Sequence, residues 1–177
     1  MRVAFLMAPE GVEEIELTEP WKAVRDAGWN PQLVSTEPGR VQAYRHLDRA
    51  GTHPVDRVLS SHTAESFDAL VLPGGVANPD ALRTNGPAVD FVREFFASAK
   101  PVAAICHAPW TLIEADAVRG RKLTSWPSLA TDLRNAGGTW VDEPVHVCRA
   151  RPATLVTSRK PDDLPAFCAA LVQEFGG

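Results

Sequence analysis

Val102-Ala-Ala-Ile-Cys-His-Ala-Pro109 decides the reading of this chain. Four small or branched apolar residues in succession have the length and uniform apolarity of a strand buried on both faces. Pro109 suits the first turn of a helix, and Trp-Thr-Leu-Ile-Glu continues it. Cys106 therefore stands on the joint, facing unpaired backbone N–H groups and the positive end of a helix. Both favour thiolate over thiol and are expected to lower its pKa. Strand, sharp turn and helix make the arrangement of a nucleophile elbow. The other reading of a free cysteine is a small core hydrophobe.

Apolar runs of the same kind recur at residues 3–7, Ala69–Leu72 and residues 154–157, bounded by proline or glycine. Helical patterns lie between them: Ile15, Trp21 and Val24; Val89, Val92, Phe95 and Phe96; Leu129 and Leu133. At the end of the chain Leu164, Phe167, Leu171, Val172 and Phe175 repeat at near-helical spacing. Alternating strands and helices predict an α/β fold, a doubly wound, mostly parallel sheet with helices on both faces in three layers. Ligands of such sheets sit outside the carboxyl ends of the strands. Residues 37–61 are polar and punctuated by glycine and proline, and read as a loop or short hairpin. His46, His53 and His62 share no period and are expected at the surface.

With 177 residues, 45% of them hydrophobic, the chain is expected to form one domain over residues 1–177. A net charge of -4 with scattered Lys and Arg gives no footprint for nucleic acid. The opening apolar run is too short for a signal peptide or a membrane span, so a cytoplasmic location is expected. Cys106, Cys148 and Cys168 are odd in number and lack zinc-ligand spacing, so free thiols are expected, with no metal and no cofactor. Cys148 and Cys168 stand at no strand-to-helix joint and read as ordinary buried thiols.

Gly74 and Gly75 directly follow the strand Ala69–Leu72, where a turn would expose amides able to hold an oxyanion together with the N–H of His107. Alone, a double glycine is usually just a turn. Pro20 stands four residues after Glu16 in one helical pattern, which denies the Glu16 carbonyl its donor and distorts the turn. Glu13, Glu14 and Glu16 otherwise read as acids favouring a helix start.

Taken together, Glu13-Glu-Ile-Glu-Leu-Thr-Glu-Pro20, Gln42-Ala-Tyr-Arg-His-Leu-Asp48, Leu70-Val-Leu-Pro-Gly-Gly75, Ala77-Asn-Pro-Asp80, Ala104-Ile-Cys-His-Ala-Pro109, Thr124-Ser-Trp-Pro-Ser128 and Thr157-Ser-Arg-Lys-Pro-Asp-Asp-Leu164 resemble the ThiJ/PfpI superfamily. The likeness is to its intracellular protease I branch and covers nearly the whole chain. It implies a glutamine-amidotransferase-like, flavodoxin-type fold. It also implies Cys106 as nucleophile, His107 as general base, Glu16 against the cysteine sulfur, and Asp80 completing a triad from a neighbouring subunit. Two departures stand out. Ala108 replaces a common glycine, and Cys148-Arg-Ala-Arg-Pro-Ala153 replaces an Asp-Gly hairpin.

The expected activity is that of a cysteine hydrolase acting on a carbonyl: a peptide bond, a glyoxal or methylglyoxal adduct of a protein, or a free aldehyde. The expected partners are such substrates and further copies of the chain in a homo-oligomer built from dimers. The alternative is a non-hydrolytic stress protein in which Cys106 senses peroxide or the dimer acts as a holdase, since an accessible thiolate is also the most easily oxidised.

Overall fold

The first strand, β1 (Arg2–Met7), shows how the core is divided. Its side chains alternate: Val3, Phe5 and Met7 join one buried cluster, Ala4 and Leu6 another, on the opposite face of the sheet. A strand covered on both sides needs no polar face, which is why the sequence shows an unbroken apolar run. The computed structural model describes residues 1–60 and 63–177. His62 lies outside the described residues.

After β1 come β2 (Glu10–Glu13), α1 (Glu14–Asp26), β3 (Asn30–Ser35), β4 (Arg40–Arg45), β5 (Asp48–Pro54) and β6 (Arg57–Val58). The middle of the chain holds β7 (Ala69–Leu72), α2 (Ala77–Arg83), α3 (Gly86–Ala97), β8 (Val102–Ile105) and α4 (Pro109–Glu114). The remainder is β9 (Lys122–Leu123), α5 (Ala130–Asn135), β10 (Thr139–Trp140), β11 (Val145–Cys148), β12 (Leu155–Ser158) and α6 (Leu164–Gly176).

The main sheet runs β11-β12-β8-β7-β1-β3-β6. Every pairing in it is parallel except β11 with β12. Its principal strands follow the flavodoxin-like order, with the direction of winding reversing between β1 and β7. One face is covered by α1 and α6 through Leu17, Val24, Phe167 and Leu171, the other by α3, α4 and α5 through Phe91, Phe95, Leu112 and Leu133. The predicted α/β, doubly wound, three-layer architecture is the observed one.

Residues 37–61, read as a loop or short hairpin, contain the antiparallel hairpin β4–β5, which joins β2 in a separate three-stranded sheet. β2 itself had no sequence signal, because its acids read as the start of α1. Cys148-Arg-Ala-Arg-Pro-Ala153 still connects an antiparallel pair, so the departure there leaves the hairpin in place.

Candidate active site

The carboxyl ends of β1, β7 and β8 converge on the winding reversal, and Cys106 follows β8 directly. Its φ of 64° lies in the left-handed region, which costs a non-glycine residue about 1 kcal/mol or more. Two backbone bonds hold the turn there. Cys106 N–H donates to Ser158 O at the end of β12 (3.1 Å), and Trp126 N–H donates to Cys106 O (2.9 Å). Ala108 is buried and its N–H closes the turn onto Ile105 O at 3.1 Å, so the alanine does not open the elbow.

This bent backbone brings adjacent side chains together. Cys106 Sγ lies 3.1 Å from His107 Nδ1. The imidazole is 7% exposed, stacked on Trp126 with centroids 5.4 Å apart and tilted against Trp110 at 5.2 Å. Burial holds its pKa below the ordinary histidine value, so the ring is neutral near pH 7 and free to accept a proton.

Glu16 approaches from the other side, on α1, and is fully buried. Pro20 lies inside the same helix, as the sequence requires. The Glu16 Oε2 accepts from the N–H groups of Gly74 and Gly75, each at 3.1 Å, and the carboxyl lies against the Cys106 thiol. Desolvation raises its pKa to about 7, more than the bond with the thiol and the two amides lower it.

The thiol pKa moves up, not down as the helix start had suggested. Burial is the first cause and the adjoining Glu16 charge the second. The N–H groups of Gly75 and His107 pull the other way without prevailing. The helix that follows, Pro109–Glu114, is too short to supply much of a dipole. Cys106 and Glu16 cannot comfortably ionise together in this space, so the pair carries one negative charge at most near neutrality.

The expected oxyanion donors also need correction. Gly74 and Gly75 both donate to Glu16, and of the three amides only that of His107 is not engaged by this carboxyl; the N–H groups of Gly75 and His107 also bear on the Cys106 sulfur. The glycines are still required. A Cβ on Gly74 would come within 2.5 Å of Glu16 Oε2 and 2.6 Å of Cys106 Cβ. Gly75 has φ +76°, and its Cβ would lie 2.8 Å from Glu13 N.

Asp80 is not part of this cluster within one chain. It is exposed on α2, and among the described residues its side chain makes no hydrogen bond or ion pair. Its neighbours Asn78 and Pro79 are the buried members of that motif. Asn78 Oδ1 accepts from Ala8 N–H at 2.8 Å, and its Nδ2 donates to Pro73 O and Gly74 O, clamping the ends of β1 and β7 together.

A cavity of about 460 Å³ opens in front of Cys106. Its walls include Glu10, Glu13, Tyr44, His46, Leu47 and Trp126, none of which was singled out from the sequence as a site residue. His46, expected as an ordinary surface residue, is exposed but lines this cavity at the tip of β4–β5; His53 is half-buried. Cys148 is buried and Cys168 half-buried, neither on the cavity. Among the described residues no three His, Cys, Asp or Glu side chains gather as a metal-binding group, and no helix is long and apolar enough to cross a membrane.

Comparison with known proteins agrees with this architecture. Residues 1–174 match the DJ-1/PfpI family. The chain is 42% identical over 155 residues to General stress protein 18 of Bacillus subtilis, covering 88% of this chain and 87% of that one. It is 41% identical over 166 residues to Protein/nucleic acid deglycase 2 of Escherichia coli, covering 94% and 92%. Among solved structures, a two-domain protein of Anabaena variabilis with DJ-1/ThiJ/PfpI-like and ferritin-like domains superposes with a TM-score of 0.88 at 33% identity. That match covers 99% of this chain and half of the other.

Proposed function

The chain belongs to the DJ-1/PfpI family, and from that premise we propose that it is a cysteine-dependent hydrolase of carbonyl substrates, working as one domain in the cytoplasm. The observation that carries the reading is the contact of Cys106 Sγ with a neutral His107 Nδ1 at 3.1 Å, on the wall of a cavity. The relatives named as deglycases and as a stress protein support it.

In this reading the thiol proton passes to His107 Nδ1 as the sulfur attacks the carbonyl carbon. The carbonyl π pair moves onto oxygen, which the His107 N–H holds, joined by Gly75 if its amide turns from Glu16. For an amide, His107 returns the proton to the leaving nitrogen, and water then releases the acyl group from sulfur; at the carbonyl of an adduct the addition gives a hemithioacetal or hemithioketal, with the proton passed from His107 to the new oxygen. For a free aldehyde the addition gives a hemithioacetal. Because the resting thiol is held protonated by burial, proton transfer and attack are coupled, and a thiolate is not stored in advance. Asp80 of a second subunit would orient His107, making the site a property of a homo-oligomer built from dimers.

Turnover of methylglyoxal, a methylglyoxal-treated peptide and a peptide panel by wild type and Cys106→Ala tests the reading. Loss of turnover in the variant supports it, and equal turnover by both overturns it. A second reading, peroxide sensing at Cys106, draws on Glu16. A carboxyl with a pKa of about 7 against the sulfur can donate a hydrogen bond to a sulfinate formed by two successive equivalents of peroxide.

A further inference from the structure

Resting on Cys106 as the nucleophile, we propose that the cavity selects substrates whose reacting carbonyl is carried by a cationic group, with Glu10 and Glu13 as the specificity-determining residues.

The charged side chains on the cavity wall are all of one sign. Glu10, Glu13 and Glu16 line it, and no Lys or Arg does so among the described residues. Two of these carboxyls are held in place by one donor each: Tyr44 Oη donates to Glu10 Oε2 at 3.2 Å, and His46 N–H donates to Glu13 Oε2 at 2.9 Å. Among the described residues the second oxygen of each accepts no hydrogen bond. Glu16 is fully buried, and its Oε1 also lacks a hydrogen-bond partner among the described residues. The Glu13 charge is close enough to push the Glu16 pKa up, so the acids act on one shared space.

The cations of the adjoining groove are engaged elsewhere. Arg45 and Lys160 line that groove, where Arg45 is paired with Glu14 at 2.7 Å and Lys160 with Asp162 at 3.0 Å. Tyr44 and Trp126 supply aromatic surface in the cavity, which also favours an ammonium or guanidinium over a carboxylate. An anionic carbonyl compound would enter against the Glu10 and Glu13 carboxyls with no cation lining the cavity among the described residues; a cationic one would find oriented acceptors.

The test uses thiol reagents that differ only in charge, so that it does not depend on which carbonyl is physiological. Methanethiosulfonates bearing a trimethylammonium-ethyl, hydroxyethyl or sulfonato-ethyl group react alike: the cysteine sulfur bonds to the sulfenyl sulfur and methanesulfinate leaves. Rates at Cys106, read by mass mapping, are divided by the rates with free 2-mercaptoethanol. The expected cation-to-anion ratio is at least about tenfold at low salt. It should fall below about threefold in the Glu10→Gln, Glu13→Gln double variant, whose amides keep the Tyr44 and His46 contacts. It should fall similarly for wild type in 0.5 M salt, where screening shortens to a few ångströms, and this arm stands even if the variant does not fold. A normalised ratio near one or inverted in wild type overturns the proposal, as does a ratio indifferent to both the variant and salt. Cys106 resisting all three reagents while Cys168 reacts would overturn the nucleophile reading instead, and the charge selection with it.

Discussion

Cys106 and Cys148 are nearly equal by the usual measures: 5% and 4% exposed, each at the end of a strand, each with a nitrogen nearby. Cys148 has the full positive charge, Arg121 Nη1 at 3.8 Å, while Cys106 has only a neutral imidazole at 3.1 Å. A rule based on burial and neighbouring charge would choose Cys148. What separates them is backbone and space. Cys106 turns at φ 64° out of the sheet onto a cavity, whereas Cys148 remains in the ladder of β11 with β12. In the proposed reading, reactivity follows from the turn and the opening in front of it.

The sharpest way to break this contrast is to exchange the losses. Cys106→Ala should lower turnover about a thousandfold or more, and Cys148→Ala should leave kcat/KM within about twofold. Comparable losses from both would show that the two sulfurs act together. Next comes the wall behind the elbow. Gly75→Ala should destabilise the fold by about 3 kcal/mol, because a Cβ there meets backbone at a φ of +76°. Gly28→Ala, at +78° but with nothing within 4 Å of its Cβ, should cost only about 1 kcal/mol. Urea midpoints at constant slope would measure the difference.

Glu16, on the Cys106 side, gives a pH signature. Its pKa is about 7 in the folded chain against 4.5 for the free group, so between those values the folded state keeps a proton that the unfolded state has lost. The associated stability is present in full below pH 4.5 and is lost as pH rises through about 7, on the order of 3 kcal/mol in all. Glu16→Gln should remove that decline, and urea unfolding from pH 4.5 to 8 would reveal it; parallel curves for both proteins would place the proton elsewhere. The smallest effect concerns Trp126. Replacing it with Leu removes the stack on His107 and should lower kcat about tenfold with little change in KM. A change confined to KM would make Trp126 a substrate contact instead.

The sheet was legible because burial on both faces leaves unbroken apolar runs, and the elbow because only Cys106, His107 and Ala108 separate strand from helix. The pairing of β2 with β4 left no such trace, since four residues of Glu-Gly-Val-Glu type have neither a strand nor a helix period. Without that pairing, Tyr44, His46 and Leu47 could not be placed on the cavity. The thiol pKa was misjudged for a related reason. A helix start is visible in sequence, but the desolvation that outweighs it, and the carboxyl brought from ninety positions away, depend on packing. The fate of Asn78 and Asp80 shows the same limit: one motif, with its asparagine clamped in the core and its aspartate left exposed.

Residues 10–16 pass from β2 into α1 with no linker, the strand ending at Glu13 and the helix beginning at Glu14. One residue gained or lost here would turn the β2 side chains to the opposite face and swing Glu16 by about 100° around the helix axis. Such a change would displace the acidic wall and the group beside the sulfur in a single event. The hairpin tip at His46 and Leu47 is the reverse, with Leu47 94% exposed and no part of the main sheet depending on its length. Insertions and deletions are thus channelled: the tip can accommodate a change in length, while the acidic wall and the distance from Glu16 to Cys106 are fixed by a junction that cannot.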